Sequence, residues 1–292
     1  MRILNFGSLN IDYIYRVRHI GAPGETLAAA SREVFCGGKG LNQSIALAKA
    51  GAEVYHAGCI GEEGQMLLQA MEDAGVDCRY VRTLDCASGH AVIQVEDSGQ
   101  NAILLFGGAN QMISSSFIDE VLAGFDAGDV LLLQNEINRL DEIVDKAYAR
   151  GMKIVLNPSP YNDSLQTVDM NKVSIFLLNE VEGEQMTGEH DADAILEKME
   201  SLYPGAEVVL TLGGEGAVYR HGQRVYRQEA FPVEAVDTTG AGDTFTGYFL
   251  ASLMEGLDAP VCLELAAKAA AIAVTRSGAA PSIPCRCEVS GF

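Results

Sequence analysis

D-V-L-L-L-Q-N-E at 129–136, I-V-L-N-P at 154–158 and S-I-F-L-L-N-E at 174–180 repeat one theme, a short apolar run that ends in an amide or a carboxylate. Each run reads as a strand buried on both faces (129–134, 153–156 and 174–178), and residues 139–150 between the first two carry a helical pattern. Alternating strands and helices imply parallel pairing through right-handed crossovers, so the carboxyl ends of the strands line one edge. Glu136, Asn157, Asn179 and, three residues further on, Glu182 therefore converge on that edge. Glu182 suits a metal-bound water or a phosphate, and equally suits the first turn of a helix, where the dipole favours an acid.

The same grammar extends outward. Residues 2–8 form a buried strand that opens onto a loop with Asn10 and Asp12, where open α/β sheets bind ligands and where an amide and a carboxylate can pair with vicinal hydroxyls. Such residues also serve loops that bond only to themselves. Residues 54–60 and 62–74 make a further strand and helix. Strand 207–212 carries Thr211 and leads into the glycine-rich turn Gly213 to Gly216, then two short strands at 217–220 and 223–227; flat access for an adenine or a phosphate and an ordinary hairpin turn are both compatible with it.

Two segments break the alternation. Residues 13–34 alternate polar and apolar around Gly21 and Gly24, while 89–96 and 101–106, joined by D-S-G-Q, read as a hairpin. Together they suggest a small sheet that projects from the main body and closes over a substrate. His90 in that hairpin is expected to pack or hydrogen-bond rather than to catalyse.

Two glycine-rich turns precede helices. C-G-G-K-G-L-N-Q at 36–43 places Gly38, Lys39 and Asn42 at a helix start, but lacks the spacing and the hydroxyl residue of a P-loop. V-D-T-T-G-A-G-D-T-F-T-G at 236–247 leaves the amides of Gly240, Ala241, Gly242 and Asp243 at a helix N-terminus, a place for an anion such as a phosphate oxygen. Asp243 beside them has the chemistry to take a proton from a hydroxyl that attacks phosphorus. A helix N-terminus is expected to depress its pKa. The same residues also make a plain capped turn.

A formal net charge of −20 over 292 residues and an isoelectric point near 4.5 exclude a nucleic-acid partner, which needs a basic footprint. A nucleotide is compatible if short-range donors and Mg²⁺ outweigh a diffuse field that salt screens within roughly 8 Å. Seven scattered cysteines are expected to be reduced thiols, with Cys285-x-Cys287 too isolated for a zinc site. The strand-like start and the lack of a long apolar stretch make the cytoplasm the expected location.

G-S-L-N-I-D at 7–12, C-G-G-K-G-L-N-Q at 36–43, L-N-E-V-E at 178–182, D-T-T-G-A-G-D-T-F at 237–245 and T-R-S-G-A-A-P-S at 275–282, in this order, resemble the ribokinase-like (PfkB) sugar kinases over nearly the whole chain. The resemblance implies a three-layer α/β/α fold with a mainly parallel central sheet, one domain over 1–292, and lid segments near 11–35 and 87–107. It implies transfer of the γ-phosphate of MgATP to a sugar's primary hydroxyl, with D-ribose the leading acceptor and deoxyribose, other pentoses, hexoses or nucleosides as alternatives. By position, Asn10, Asp12, Gly38, Lys39, Asn42, Glu136 and Asp243 match sugar contacts, Asp243 also the catalytic base. Gly240, Ala241 and Gly242 match the anion hole. Asn179, Glu182, Thr211, Gly213 and Gly216 match positions that hold the nucleotide and its Mg²⁺. Asp237, Thr239, Ala273, Arg276, Gly278 and Ser282 match a loop around a monovalent cation, usually K⁺, held mostly by backbone carbonyls. A homodimer through the lid sheets is implied as well. Gly214 departs from the pattern, since many members carry a serine there. A sugar-responsive protein without catalysis is a second class of reading, disfavoured by the intact 240–243 run. A dinucleotide-dependent oxidoreductase lacks its glycine signature after the first strand.

Overall fold

The computed structural model describes residues 1–292. Its strands are β1 (Ile3–Phe6), β2 (Asn10–Val17), β3 (Ser31–Gly37), β4 (Val54–Ile60), β5 (Asp77–Thr83), β6 (Gly89–Glu96), β7 (Asn101–Phe106), β8 (Val130–Gln134), β9 (Lys153–Asn157), β10 (Ile175–Asn179), β11 (Glu207–Thr211), β12 (Ala217–His221) and β13 (Arg224–Gln228). Its α-helices are α1 (Lys39–Lys49), α2 (Gln65–Asp73), α3 (Ser115–Leu122), α4 (Leu140–Ala149), α5 (Glu180–Thr187), α6 (Ala192–Leu202), α7 (Ala241–Met254), α8 (Ala259–Val274) and α9 (Arg286–Gly291).

The period-two alternation of the apolar strands feeds two cores. Ile3, Val130, Leu132, Ile175 and Leu177 enter the first, closed by α1, α2 and α7 to α9. Leu4, Phe6, Leu131, Leu133, Phe176 and Leu178 enter the second, under α3, α4 and α6. The result is the expected three-layer α/β arrangement. The central sheet runs β13-β12-β11-β10-β9-β8-β1-β4-β5. From β11 to β5 every neighbour pairs in parallel, and β12 and β13 add an antiparallel edge. Since the chain passes from β1 to β4 and β5 on one side and later fills β8 to β11 on the other, the strand order reverses between β1 and β8. A ligand crevice forms at the carboxyl ends of strands at such a point.

The expected small sheet is present, in the order β3-β2-β6-β7. It springs directly from the end of β1, and β7 leaves Leu104 71% and Phe106 51% exposed. Four elements stand where the sequence pattern predicts none, β5, α3, α6 and α9; in β5 the apolar alternation is broken by Arg79 and Arg82, which this edge strand points outward into ion pairs.

The expectation of reduced thiols fails for one pair. Cys285 and Cys287 are joined by a disulfide rather than reduced, because the extended backbone at Cys285, which caps α9, brings their Cα atoms to 5.5 Å, within bonding reach. The other five cysteines are free. No helix is long and apolar enough to cross a membrane.

Candidate active site

Gly240 caps α7 with φ of 75°, a left-handed conformation that costs a side-chain-bearing residue energy. This turn sends the Ala241 N–H to the Thr238 carbonyl and starts the helical ladder at Thr244, which donates to the Gly240 carbonyl. The N–H groups of Gly240, Gly242 and Asp243 make no hydrogen bond within the chain. They face a cavity of about 240 Å³ whose wall includes Lys39, Asn157, Asn179, Glu182, Thr211 and Asp243. Unpaired amides at the positive end of a helix make an anion site.

Asp243 is buried in the first turn of α7. Its Oδ2 accepts a hydrogen bond from Asn42 Nδ2 at 2.9 Å and its Oδ1 one from Gln43 Nε2 at 2.9 Å. Contrary to the expectation from the helix dipole, its pKa is raised. Burial disfavours the charge by more than Lys39 and the amides of Gln43 and Asn42 favour it, and Glu182 adds repulsion. Lys39 opposes it across the cavity. Burial pushes that ammonium down, but Asp243, Glu136 and Glu182 outweigh it and the net direction is up, so the site keeps a cation among three acids.

Across the β1/β8 switch lies a second cavity of about 230 Å³, lined in part by Asn10, Leu105, Asn110, Gln111, Asn135 and Glu136. Glu136 Oε2 accepts from Ser8 Oγ and, at 3.0 Å, from the Lys39 N–H beside the Gly38 turn; burial leads its upward pKa shift. Asn10 Oδ1 accepts from Asn110 Nδ2 at 2.8 Å. The Asp12 carboxylate on β2 reaches over Gly37 of the neighbouring β3, where a Cβ would collide with it. It accepts no hydrogen bond from the chain, and burial, then the charge of Glu136, push its pKa up to about 7.

Asn179 and Glu182 form a capping box at the start of α5: Asn179 Oδ1 accepts from the Glu182 N–H and Glu182 Oε2 from the Asn179 N–H, both at 2.9 Å. Both also line the first cavity. Thr211 is the register partner of Asn179 across β10 and β11. Gly213 and Gly216 belong to the turn between β11 and β12 and line neither cavity.

Behind Gly240, Asp237 ties two loops together, its Oδ1 accepting from the Thr239 N–H at 2.9 Å and its Oδ2 from the Gly278 N–H at 2.8 Å. Burial raises its pKa, but these bonds more than offset that and the net direction is down. Arg276 donates to the Ser282 carbonyl at 3.5 Å and to Glu288 at 2.6 Å. The carbonyl of Ala273 accepts the Arg276 N–H, whereas those of Thr239, Arg276 and Gly278 accept nothing from the chain. His90 packs between Tyr13 and Phe106, with Nδ1 3.1 Å from the Ser88 carbonyl.

Three contributors escape the sequence reading: Ser8, Asn110 and Gln43. Gln43 follows Asn42 on α1, so proximity in sequence is the only signal for it. Asn110 carries none, since its partners Leu9 and Asn10 lie about a hundred residues away.

The chain matches the model of the pfkB family carbohydrate kinases over residues 2–286. It is similar to a ribokinase of Haemophilus influenzae, 35% identical over 98% of this chain and 96% of that protein, and to a deoxyribokinase of Salmonella typhi, 31% identical over 97% and 96%. Among solved structures, Arabidopsis thaliana ribokinase complexed with ribose and ATP superimposes with a TM-score of 0.89 at 30% identity, covering 99% of this chain and 97% of that one. The chain therefore belongs to the pfkB family of carbohydrate kinases and is a phosphotransferase with an alcohol group as acceptor.

Proposed function

We propose that this kinase transfers the γ-phosphoryl group of ATP to the primary hydroxyl of D-ribose. The observation that carries it is a buried, amide-held carboxylate, Asp243, in the same helix turn as three unpaired amides. Asp243 accepts the proton of the hydroxyl as its oxygen bonds to the γ-phosphorus and the bond to ADP breaks. The N–H groups of Gly240, Gly242 and Asp243, in the run with Ala241, hold the charge on the transferring oxygens, and Lys39 adds a cation. Asn10, Asp12, Gly38, Asn42 and Glu136 hold the sugar. The choice of ribose follows the ribokinase relatives, with the unpartnered carboxylate of Asp12 suited to sugar hydroxyls; the deoxyribokinase relative makes 2-deoxyribose the runner-up.

Asn179, Glu182, Thr211, Gly213 and Gly216 border the nucleotide. Mg²⁺ bound with it would neutralise phosphate charge, and Glu182, with one carboxylate oxygen free of the capping box, would help to hold that ion. The free carbonyls of Thr239, Arg276 and Gly278, with the ionised Asp237, fit a monovalent cation such as K⁺, which would stiffen the loop under Gly240; Ala273 and Ser282 frame it. The apolar outer strand β7 is the surface for a homodimer.

ADP release from MgATP across a panel of D-ribose, 2-deoxyribose, hexoses and nucleosides, each with and without K⁺, tests all of this. Fast turnover on D-ribose, stimulated by K⁺, is expected. Preference for another compound would overturn the assignment of ribose, and indifference to K⁺ the cation loop.

A further inference from the structure

Under α1 runs a line of buried polar side chains that phosphoryl transfer as described leaves unused. Asn5, His56 and Gln134 sit in β1, β4 and β8 on the face that otherwise feeds the first core through Ile3, Val54 and Leu132, and none of the three is exposed. Apolar residues would fill this layer at no polar cost, so each amide or imidazole atom here costs stability unless it is paired.

They are joined in a chain that ends on Asp243, with Gln134 Oε1 left without a partner. His56 Nδ1 is 2.7 Å from Ser44 Oγ, which accepts from Asn5 Nδ2 at 2.8 Å. Gln134 Nε2 donates to Asn5 Oδ1 at 3.0 Å and to Gln43 Oε1 at 2.6 Å. Gln43 Nε2 donates to Asp243 Oδ1 at 2.9 Å and to Asn157 Oδ1 at 3.0 Å. Asn157 is itself oriented by its Nδ2 bond to the Leu177 carbonyl at 2.9 Å. The direction at Gln43 is forced. Asp243 and Asn157 Oδ1 only accept, so Gln43 must turn its NH₂ to them and its oxygen to Gln134.

We propose that Gln43 is a positioning residue for the reaction, held by Gln134: together they fix the rotation of the Asp243 carboxylate, leaving its free lone pairs aimed at the cavity it lines. This rests on Asp243 being the base. A merely structural network would stabilise the layer between sheet and helix and leave kcat alone. A positioning network acts on kcat.

Two variants separate these. Gln43→Leu removes the donor itself. Gln134→Met, similar in length and unbranched, removes the donor to Gln43 Oε1, together with the bond to Asn5 Oδ1, so the Gln43 amide keeps its two acceptors but loses the hold on its oxygen. Expected is a loss of kcat of about 10²-fold for Gln43→Leu and about tenfold for Gln134→Met, with KM for sugar and ATP within about threefold, since small misplacements cost turnover rather than binding. The acid limb of the kcat–pH profile should move to higher pH in both, because a hydrogen bond that favours the charged form is lost or loosened. Lys39, Glu182 and Glu136, the other charged groups that act on Asp243, stay in place. Wild-type kcat in folded Gln43→Leu, with Asp243→Asn inactive, would overturn the proposal and leave the base intact. Should Gln43→Leu not fold, an unchanged kcat and pH profile in Gln134→Met overturns it instead. Full turnover in Asp243→Asn would remove the base and the proposal together.

Discussion

At the start of α7, Asp243 has each oxygen held by an amide of α1, whereas on the small sheet Asp12 accepts nothing from the chain and is pushed up to about 7. Burial raises both carboxyls. At α7 the donors Asn42 and Gln43 of α1 partly offset that; on the small sheet the deficit stays open. Fixed geometry suits proton transfer, where small displacements are costly. An unpaired carboxylate suits recognition, because sugar hydroxyls supply the donors that the fold withholds. Asp237 is a third case, with both oxygens bonded to backbone N–H groups and its pKa lowered.

The contrast breaks most readily on its rigid side. Gly240→Ala puts a Cβ on a left-handed residue, 2.9 Å from the Cβ of Ala279, so either the amides or the loop at Ala279 must move. Steady-state kinetics should show kcat falling about 10²-fold or more, as on loss of an oxyanion donor, and denaturation should show about 1–2 kcal/mol lost to the strained conformation. Unchanged kcat would mean that the amides at 240–243 hold no developing charge.

Asp12→Asn sharpens the other side. The amide should raise the KM for sugar about tenfold, since a hydrogen bond to a charged group is lost, and leave kcat close to wild type. Ionising Asp12 costs the folded state stability. Its folded pKa of about 7 lies above the ordinary carboxylate value, so that cost is absent near pH 4, grows as pH rises and is complete above about 7. Asn removes it. Thermal melts should therefore show Asp12→Asn more stable than wild type at pH 8 and equal to it near pH 4, while the wild-type KM for sugar falls as pH rises through 7. A destabilised variant at pH 8 would contradict the unpaired burial of Asp12.

Leu104→Asp, on the exposed outer strand, has the smallest expected effect on turnover. Sedimentation should show it monomeric while the wild type is dimeric, with kcat retained. A wild-type monomer would remove the lid sheet as an interface.

The fold was legible where burial is continuous. Runs such as 130–134 and 175–178 admit no exposed face, and the polar residues that end them converge because parallel strands end on one side. The hairpin at 89–106 carried its own turn. What stayed hidden is what tertiary contact decides. Gln43 meets Asp243 across 200 residues. The helix N-terminus argues for a depressed Asp243, yet burial, invisible in a local motif, sets the opposite direction. The Cys285–Cys287 bond depends on how α9 begins, and the edge strand β5 on charges that point outward.

Most direct is the turnover of Asp243→Asn on D-ribose with MgATP, measured beside ribose binding by calorimetry. Expected is a loss of kcat of at least about 10²-fold, the typical contribution of a general base, with ribose affinity near wild type. Turnover within about tenfold of wild type would show that the proton leaves by another route and that the buried carboxylate is not the base.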